Sequence, residues 1–154
     1  MSFNKQKWLK TVKHTIHSDG SISVQGDVNL YDKKLTELPF KFRKVTGNFD
    51  CSRNQLTSLN DCPASVDRNF YCSHNQLTSL NGGPSSVGGN FYCIHNKLTS
   101  LNGCPSSVGG SFNCYYNLKD FTKLDIENAM RASRTKNSLS SQALETFSDI
   151  IDEL

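Results

Sequence analysis

The sequence predicts an α/β solenoid: a short-stranded, curved parallel sheet wound from repeated coils, with a mostly irregular back and helical caps at both ends. Three observations predict it. Cys51, Cys72, Cys93 and Cys114 are each 21 residues apart, and each sits in a copy of one segment, as in Phe70-Tyr71-Cys72-Ser73-His74-Asn75-Gln76-Leu77 and Phe91-Tyr92-Cys93-Ile94-His95-Asn96-Lys97-Leu98. Self-similarity at a fixed short period marks coils stacked one on the next. Within each copy Phe-x-Cys alternates, as in a strand whose alternate side chains face one side. Outside the copies, apolar residues recur at helical spacing toward both ends.

In chain order, residues 1–25 read as an N-terminal cap. Phe3, Trp8, Leu9 and Val12 form the apolar side of a short helix whose lysines face water. Ile16, Ile22 and Val24 around Ser18-Asp19-Gly20 read as a hairpin with an Asp-Gly turn. The coils follow over residues 26–119, as units 26–46, 47–67, 68–88, 89–109 and a truncated 110–119. The first is degenerate, with Val28, Leu30 and Leu35 in place of Phe, Cys and Leu. Stacking units of one length makes their strands parallel and in register, so Phe49, Phe70, Phe91 and Phe112 form one buried column and the cysteines another. Gly88-Gly89 and Gly109-Gly110 mark tight bends back into the strand. Pro63, Pro84 and Pro105 hold the outer arm extended and deny it a helix.

Asn54, Asn75, Asn96 and Asn117 share a column inside an apolar pattern. A repeating buried amide needs a repeating partner, and the backbone of the turn leaving each strand supplies one. These four are expected to be a structural ladder; Lys33 holds the same position in the first, exposed coil. Residues 120–154 read as a C-terminal helical cap or arm. A helix starts near Asp120 on Leu118, Phe121, Leu124, Ile126 and Met130, and a linker spans residues 131–137. A last helix with Ser138 as N-cap carries Leu139, Ala143, Leu144, Phe147, Ile150, Ile151 and Leu154 at helical spacing.

The repeat resembles the leucine-rich repeat family, matching Leu-x-x-Leu-x-Leu-x-x-Asn-x-Leu with Phe and Cys in place of the first leucines. The 21-residue form, with Cys-Ser-x-Asn-Gln-Leu-Thr-Ser-Leu and Pro-Ser-Ser-Val-Gly-Gly, is similar to repeats in accessory proteins of tailed bacteriophages. The lead-in Asp19-Gly20-Ser21-Ile22-Ser23-Val24 shares that resemblance. It implies a capped leucine-rich repeat that binds a protein of a bacterial host, such as a defence protein, and inhibits or redirects it.

The residues themselves exclude several classes. The net charge of +3 is too mild to indicate a nucleic-acid or membrane binder by itself. It is uneven: residues 1–17 carry Lys5, Lys7, Lys10 and Lys13 with no acid, and residues 137–154 carry Glu145, Asp149, Asp152 and Glu153 with no base. The first residues lack the apolar core of a signal peptide, and no apolar run reaches membrane-spanning length. The expectation is a soluble cytoplasmic protein, in the infected host if phage-encoded, with reduced cysteines and no disulfides. No nucleophile elbow, phosphate loop or metal-ligand spacing is present, so no enzyme activity, cofactor or metal is expected. His14 and His17 supply two metal ligands at best, and His74 and His95 two without a nearby acid, a poor metal site.

The outward positions beside Phe and Cys form the expected concave binding face. Its later coils gather Tyr71, His74, Tyr92, Ile94, His95, Tyr115 and Tyr116, a partner-binding composition. The alternative use of these tyrosines is as stacking platforms for single-stranded nucleic acid, for which concave charge is sparse, with Arg53 against Asp32 and Asp50. A metal-dependent enzyme ranks third. The expected state is a monomer or a weak dimer through the C-terminal helix.

Overall fold

The computed structural model describes residues 3–152, with side chains as far as Gln142. It is a β-solenoid of about four turns with parallel sheets and a C-terminal helix. A short helix α1 (Lys5–Leu9) leads into strands β1 (Lys13–Ile16) and β2 (Ile22–Gln25). Nine strands follow: β3 (Val28–Asn29), β4 (Phe42–Val45), β5 (Phe49–Asp50), β6 (Ser65–Val66), β7 (Phe70–Tyr71), β8 (Ser86–Val87), β9 (Phe91–Tyr92), β10 (Ser107–Val108) and β11 (Phe112–Asn113). Helix α2 (Lys123–Asp152) ends the described chain.

The front sheet stacks β3, β5, β7, β9 and β11 in parallel, with Phe49, Phe70, Phe91 and Phe112 in register. Their rings form a spine: Phe49 and Phe70 lie 5.4 Å apart and stacked, Phe70 and Phe91 5.3 Å, and Phe91 and Phe112 4.9 Å but tilted. The first three rings are fully buried; Phe112, in the last coil, is half-buried. Cys51, Cys72, Cys93 and Cys114 form the next column, buried and free, and burial pushes the Cys72 and Cys93 thiols well up. Their thiols donate to the next coil's carbonyls, Cys51 to Tyr71 O and Cys72 to Tyr92 O at 3.4 Å.

The back is irregular over most of each outer arm, but not throughout. It carries a second sheet in the order β1-β2-β4-β6-β8-β10, in which Ser65-Val66, Ser86-Val87 and Ser107-Val108 pair in register. An extended arm repeated every 21 residues sets its N–H and C=O groups opposite the same groups of the next coil, so pairing follows from stacking. The β1–β2 pair is the antiparallel hairpin, turning through Asp19 and Gly20 (φ 77°). Asp19 accepts from the Ser21 hydroxyl and amide and pairs with Lys41, which holds its carboxyl well below the usual carboxylate range. Strand β2 then pairs in parallel with β4 as a rung of the same sheet.

The paired glycines do a different job from the tight bends expected of them. Gly88 and Gly109 do not have positive φ; a Cβ on Gly109 would overlap the carbonyl oxygen of Gly88 in the preceding coil, and one on Gly88 that of Asp67. The requirement is close approach between backbones rather than backbone handedness.

At the N-terminal end, Trp8 lies 5.4 Å from Phe40 and 6.1 Å from Phe42, which meets Phe49 edge-on at 5.1 Å. At the other end, α2 starts at Lys123 rather than near Asp120. Thr122 and Asp125 form a reciprocal cap: Asp125 Oδ2 accepts from Thr122 N at 2.8 Å and Thr122 Oγ1 from Asp125 N at 3.2 Å. Residues 131–137 are helix, not linker, and Ser138 lies inside α2 rather than at an N-cap. Polar bonds fasten this stretch to the last complete coil: Ser133 Oγ donates to Cys104 O at 2.9 Å, Arg134 Nε to Ser106 O at 2.8 Å, and Asn137 Nδ2 to Ser106 Oγ at 3.2 Å. Thr135, Ser140 and Ser141 turn their hydroxyls onto carbonyls one turn back, so they do not break the helix. The side chains expected to form an apolar stripe from Ala143 onward lie outside the described residues. No helix among the described residues is long and apolar enough to cross a membrane.

Candidate functional site: a stacked aromatic face

The outer face of the front sheet is set by strand alternation. In β7 and β9 the phenylalanines point in and Tyr71 and Tyr92 point out, in register. Coils one sheet-spacing apart bring equivalent rings into contact. Tyr71 and Tyr92 are half-buried and stacked at 5.1 Å with an interplanar angle of 2°.

A second column runs beside them. His74 and His95 stack at 4.5 Å, and His95 and Tyr116 at 4.6 Å. Both histidines are exposed, and Tyr116 is 71% exposed. These residues are not on the strand. Arg53, His74, His95 and Tyr116 have φ of 54°, 54°, 53° and 56°, the left-handed region, and Asp32 begins the column at 51°. A non-glycine residue held there costs on the order of 1 kcal/mol or more, so the surroundings must fix it. They do: His74 N donates to Ile94 O at 2.9 Å, and the following Asn75 turns its carboxamide inward onto Cys72 O. The bend that frees the asparagine to point in also throws the preceding ring out.

The asparagine column is bonded throughout to backbone. Asn75 Nδ2 donates to Cys51 O at 3.0 Å and Cys72 O at 3.1 Å, while its Oδ1 accepts from Leu56 N at 3.0 Å. Asn96 and Asn117 repeat this one and two coils later, and Asn54 Oδ1 accepts from both Lys33 N and Leu35 N. A second ladder was missed in the sequence although it has the same 21-residue phase. Asp27 Oδ1 accepts from Asn48 N, Asn48 Oδ1 from Asn69 N, Asn69 Oδ1 from Asn90 N, and Asn90 Oδ1 from Ser111 N.

The remaining candidates are scattered more widely. Ile94 is half-buried between the ring columns, and its amide donates to Ser73 Oγ. Tyr115 is 64% exposed and has no ring partner among the described residues. His14 bonds Val12 O and His17 bonds Ser23 Oγ, away from the front face. Among the described residues no cluster of three or more His, Cys, Asp or Glu side chains is placed to hold a metal ion. Partial burial, then His95, then Arg53, push His74 below the ordinary imidazole value. The face can therefore offer flat, ordered rings with polar edges. Comparison with protein-family models, curated proteins and solved structures gives no match for this chain.

Proposed function

We propose that this chain is a protein-binding module of the leucine-rich repeat kind, encoded by a bacteriophage, that engages a bacterial host protein in the cytoplasm and inhibits or redirects it. In this reading it catalyses nothing, and α1 with its hairpin and α2 act as caps on the stack. One observation carries the binding proposal: Tyr71–Tyr92 and His74–His95–Tyr116 form two adjacent ring columns on one outward face. Rings held by their neighbours lose little freedom on binding, which is what makes aromatic surfaces efficient contacts. Left-handed backbone kept at His74, His95 and Tyr116 also fits a site that fixes side chains in advance. The nucleic-acid reading is weaker because base stacking needs free ring faces. Here Tyr71 and Tyr92, and likewise His74, His95 and Tyr116, turn faces to one another, while Tyr115 stands without a ring partner among the described residues.

The test is capture from bacterial lysate with the wild-type chain and with a Tyr71→Ala/Tyr92→Ala/Tyr115→Ala variant, followed by mass spectrometry and affinity measurement on the partner found. Tyr92→Ala should weaken that affinity by about 2 kcal/mol or more if it is a hot spot. Its stability should fall only by the roughly 0.2–1 kcal/mol of a cross-strand pair. Unchanged affinity in the tyrosine variants, or a complex formed only on the Pro-Ser-Ser side, would refute the proposal. Salt-dependent binding of oligonucleotides instead would favour the nucleic-acid reading.

A further inference from the structure

The end of the stack opposite α2 carries a groove that the front-face reading does not use. It lies between α1 and the turn of the first coil, has a volume of about 440 Å3, and is lined by Phe3, Trp8, Lys7, Asp32, Lys33 and Lys34 among others. Two half-buried aromatic rings form its apolar part, with centroids 6.3 Å apart. All three lysines are exposed, and none has an ion-pair partner among the described residues, whereas Lys41, Lys44, Lys119 and Lys123 each have one. A groove with an aromatic floor and three uncompensated lysines against one acid suits an acidic segment that also carries apolar residues.

The chain contains such a segment. Residues 137–154 hold Glu145, Asp149, Asp152 and Glu153 with no lysine or arginine, together with Leu144, Phe147, Ile150 and Ile151. Its residues as far as Asp152 continue α2 beyond Asn137, whose side chain bonds Ser106 of the coils. The groove sits on the first coil and α2 is fastened to the last complete one, at Cys104 and Ser106. Residues 138–142 of α2 are exposed, and the helix continues unbroken from them to Asp152.

We infer that the Phe3–Trp8–lysine groove docks the acidic C-terminal segment of α2 from a second copy of this chain, giving head-to-tail association. The contact is heterologous, since groove and helix end are different surfaces, so each copy offers one of each. The inference stands apart from the front-face reading, because Asp32, the first residue of the outward column, is the one position they share and neither the stacked rings nor the lysines are common to both.

The test uses the full-length chain. Sedimentation velocity is run over a concentration series in low and high salt, with the fluorescence of Trp8, the single tryptophan, followed in parallel. Wild type should associate as concentration rises, with a blue shift of Trp8 emission, and added salt should weaken both. A Lys7→Glu/Lys33→Glu/Lys34→Glu variant should associate at least roughly tenfold more weakly, as expected from losing several exposed charge pairs. A Glu145→Lys/Asp149→Lys/Asp152→Lys variant should be weakened likewise. Mixing the two variants should restore association, because acidic groove then meets basic helix and basic groove meets acidic helix. Far-ultraviolet circular dichroism checks that each variant is folded, and the restoration on mixing cannot arise from misfolded chains. The inference is overturned if wild type stays monomeric across the series. It is equally overturned if groove reversal leaves association unchanged, or if mixing fails to restore it. A blue shift independent of concentration but lost on helix-end reversal would mean docking within one chain, which also overturns it.

Discussion

Replacing Asn96 by alanine removes a carboxamide that touches four backbone groups, yet the expected cost is that of one orphaned donor. Asn96 Nδ2 donates to Cys72 O at 3.1 Å, Cys93 O at 3.2 Å and Ile94 O at 3.5 Å, and Oδ1 accepts from Leu77 N at 3.0 Å. Each carbonyl has a second donor. Cys72 O keeps Asn75 Nδ2, Cys93 O keeps Asn117 Nδ2, and Ile94 O keeps His74 N. Leu77 N has no other partner among the described residues, and Leu77 is fully buried. One buried unsatisfied N–H costs about 1–3 kcal/mol, so Asn96→Ala should lose that much. Asn54→Ala should lose more. It strands Leu35 N and also removes the carboxamide from Leu30 O, where no earlier coil supplies a replacement. Urea unfolding followed by circular dichroism measures both, with an unchanged slope confirming that the midpoint shift is a stability change. An Asn96→Ala midpoint equal to wild type, or a smaller loss for Asn54→Ala than for Asn96→Ala, would refute the shared-acceptor reasoning.

Phe70→Ala empties the middle of a spine whose neighbours lie 5.4 and 5.3 Å away, and should cost about 3–5 kcal/mol in the same urea assay. Thiol labelling of the native protein should leave Cys72 and Cys93 far slower than in urea, because both are fully buried and burial raises their thiols well above the ordinary value. Rapid native labelling of both would contradict the inward register. The pH dependence has a definite sign. His74 is lowered from the ordinary 6.5 in the folded chain, so between that value and its folded value the unfolded chain binds more protons. Its contribution to stability is present above pH 6.5 and is lost as pH falls through that window. A His74→Gln variant should flatten this part of a melting-temperature profile, and an unchanged profile would show that the imidazole stack does not titrate as inferred.

The phase of the four cysteines made the stack readable, because one inward column at constant spacing allows only parallel strands in register. Asp19-Gly20 made the hairpin readable through its turn chemistry. The back sheet was not readable because its rungs are two residues long, and Ser-Val shows no alternation to distinguish a strand from an extended loop. Residues 131–137 read as a linker because they lack apolar residues at helical spacing; Ser133, Arg134 and Asn137 are held by hydrogen bonds to Cys104 and Ser106 instead. Alternation identified the outward positions of the tyrosines on the front sheet. It could not reveal that His74, His95 and Tyr116 sit in left-handed turns, because glycine or asparagine, the usual signals, is absent at those positions. The Asp27–Asn48–Asn69–Asn90 ladder had a visible signal, a polar column in the common phase, but it stands beside the paired glycines where polar residues also mark an ordinary turn.

The two polar ladders give the chain a quantised length. Every rung takes its bonds to the neighbouring coil from positions 21 residues away or close to it: Asn69 from Asn48, Asn90 from Asn69, Leu56 from Asn75 and Leu77 from Asn96. Deleting one whole coil, residues 68–88 for example, brings Asn90 under Asn48 and Asn96 under Asn54 with every donor still facing an acceptor. Deleting one residue from the same coil shifts both ladders, the phenylalanine spine and the glycine approaches out of phase together. Insertions and deletions in this molecule are therefore expected to be tolerated in whole-coil steps and to fail between them, so that the family of viable lengths forms a series rather than a continuum.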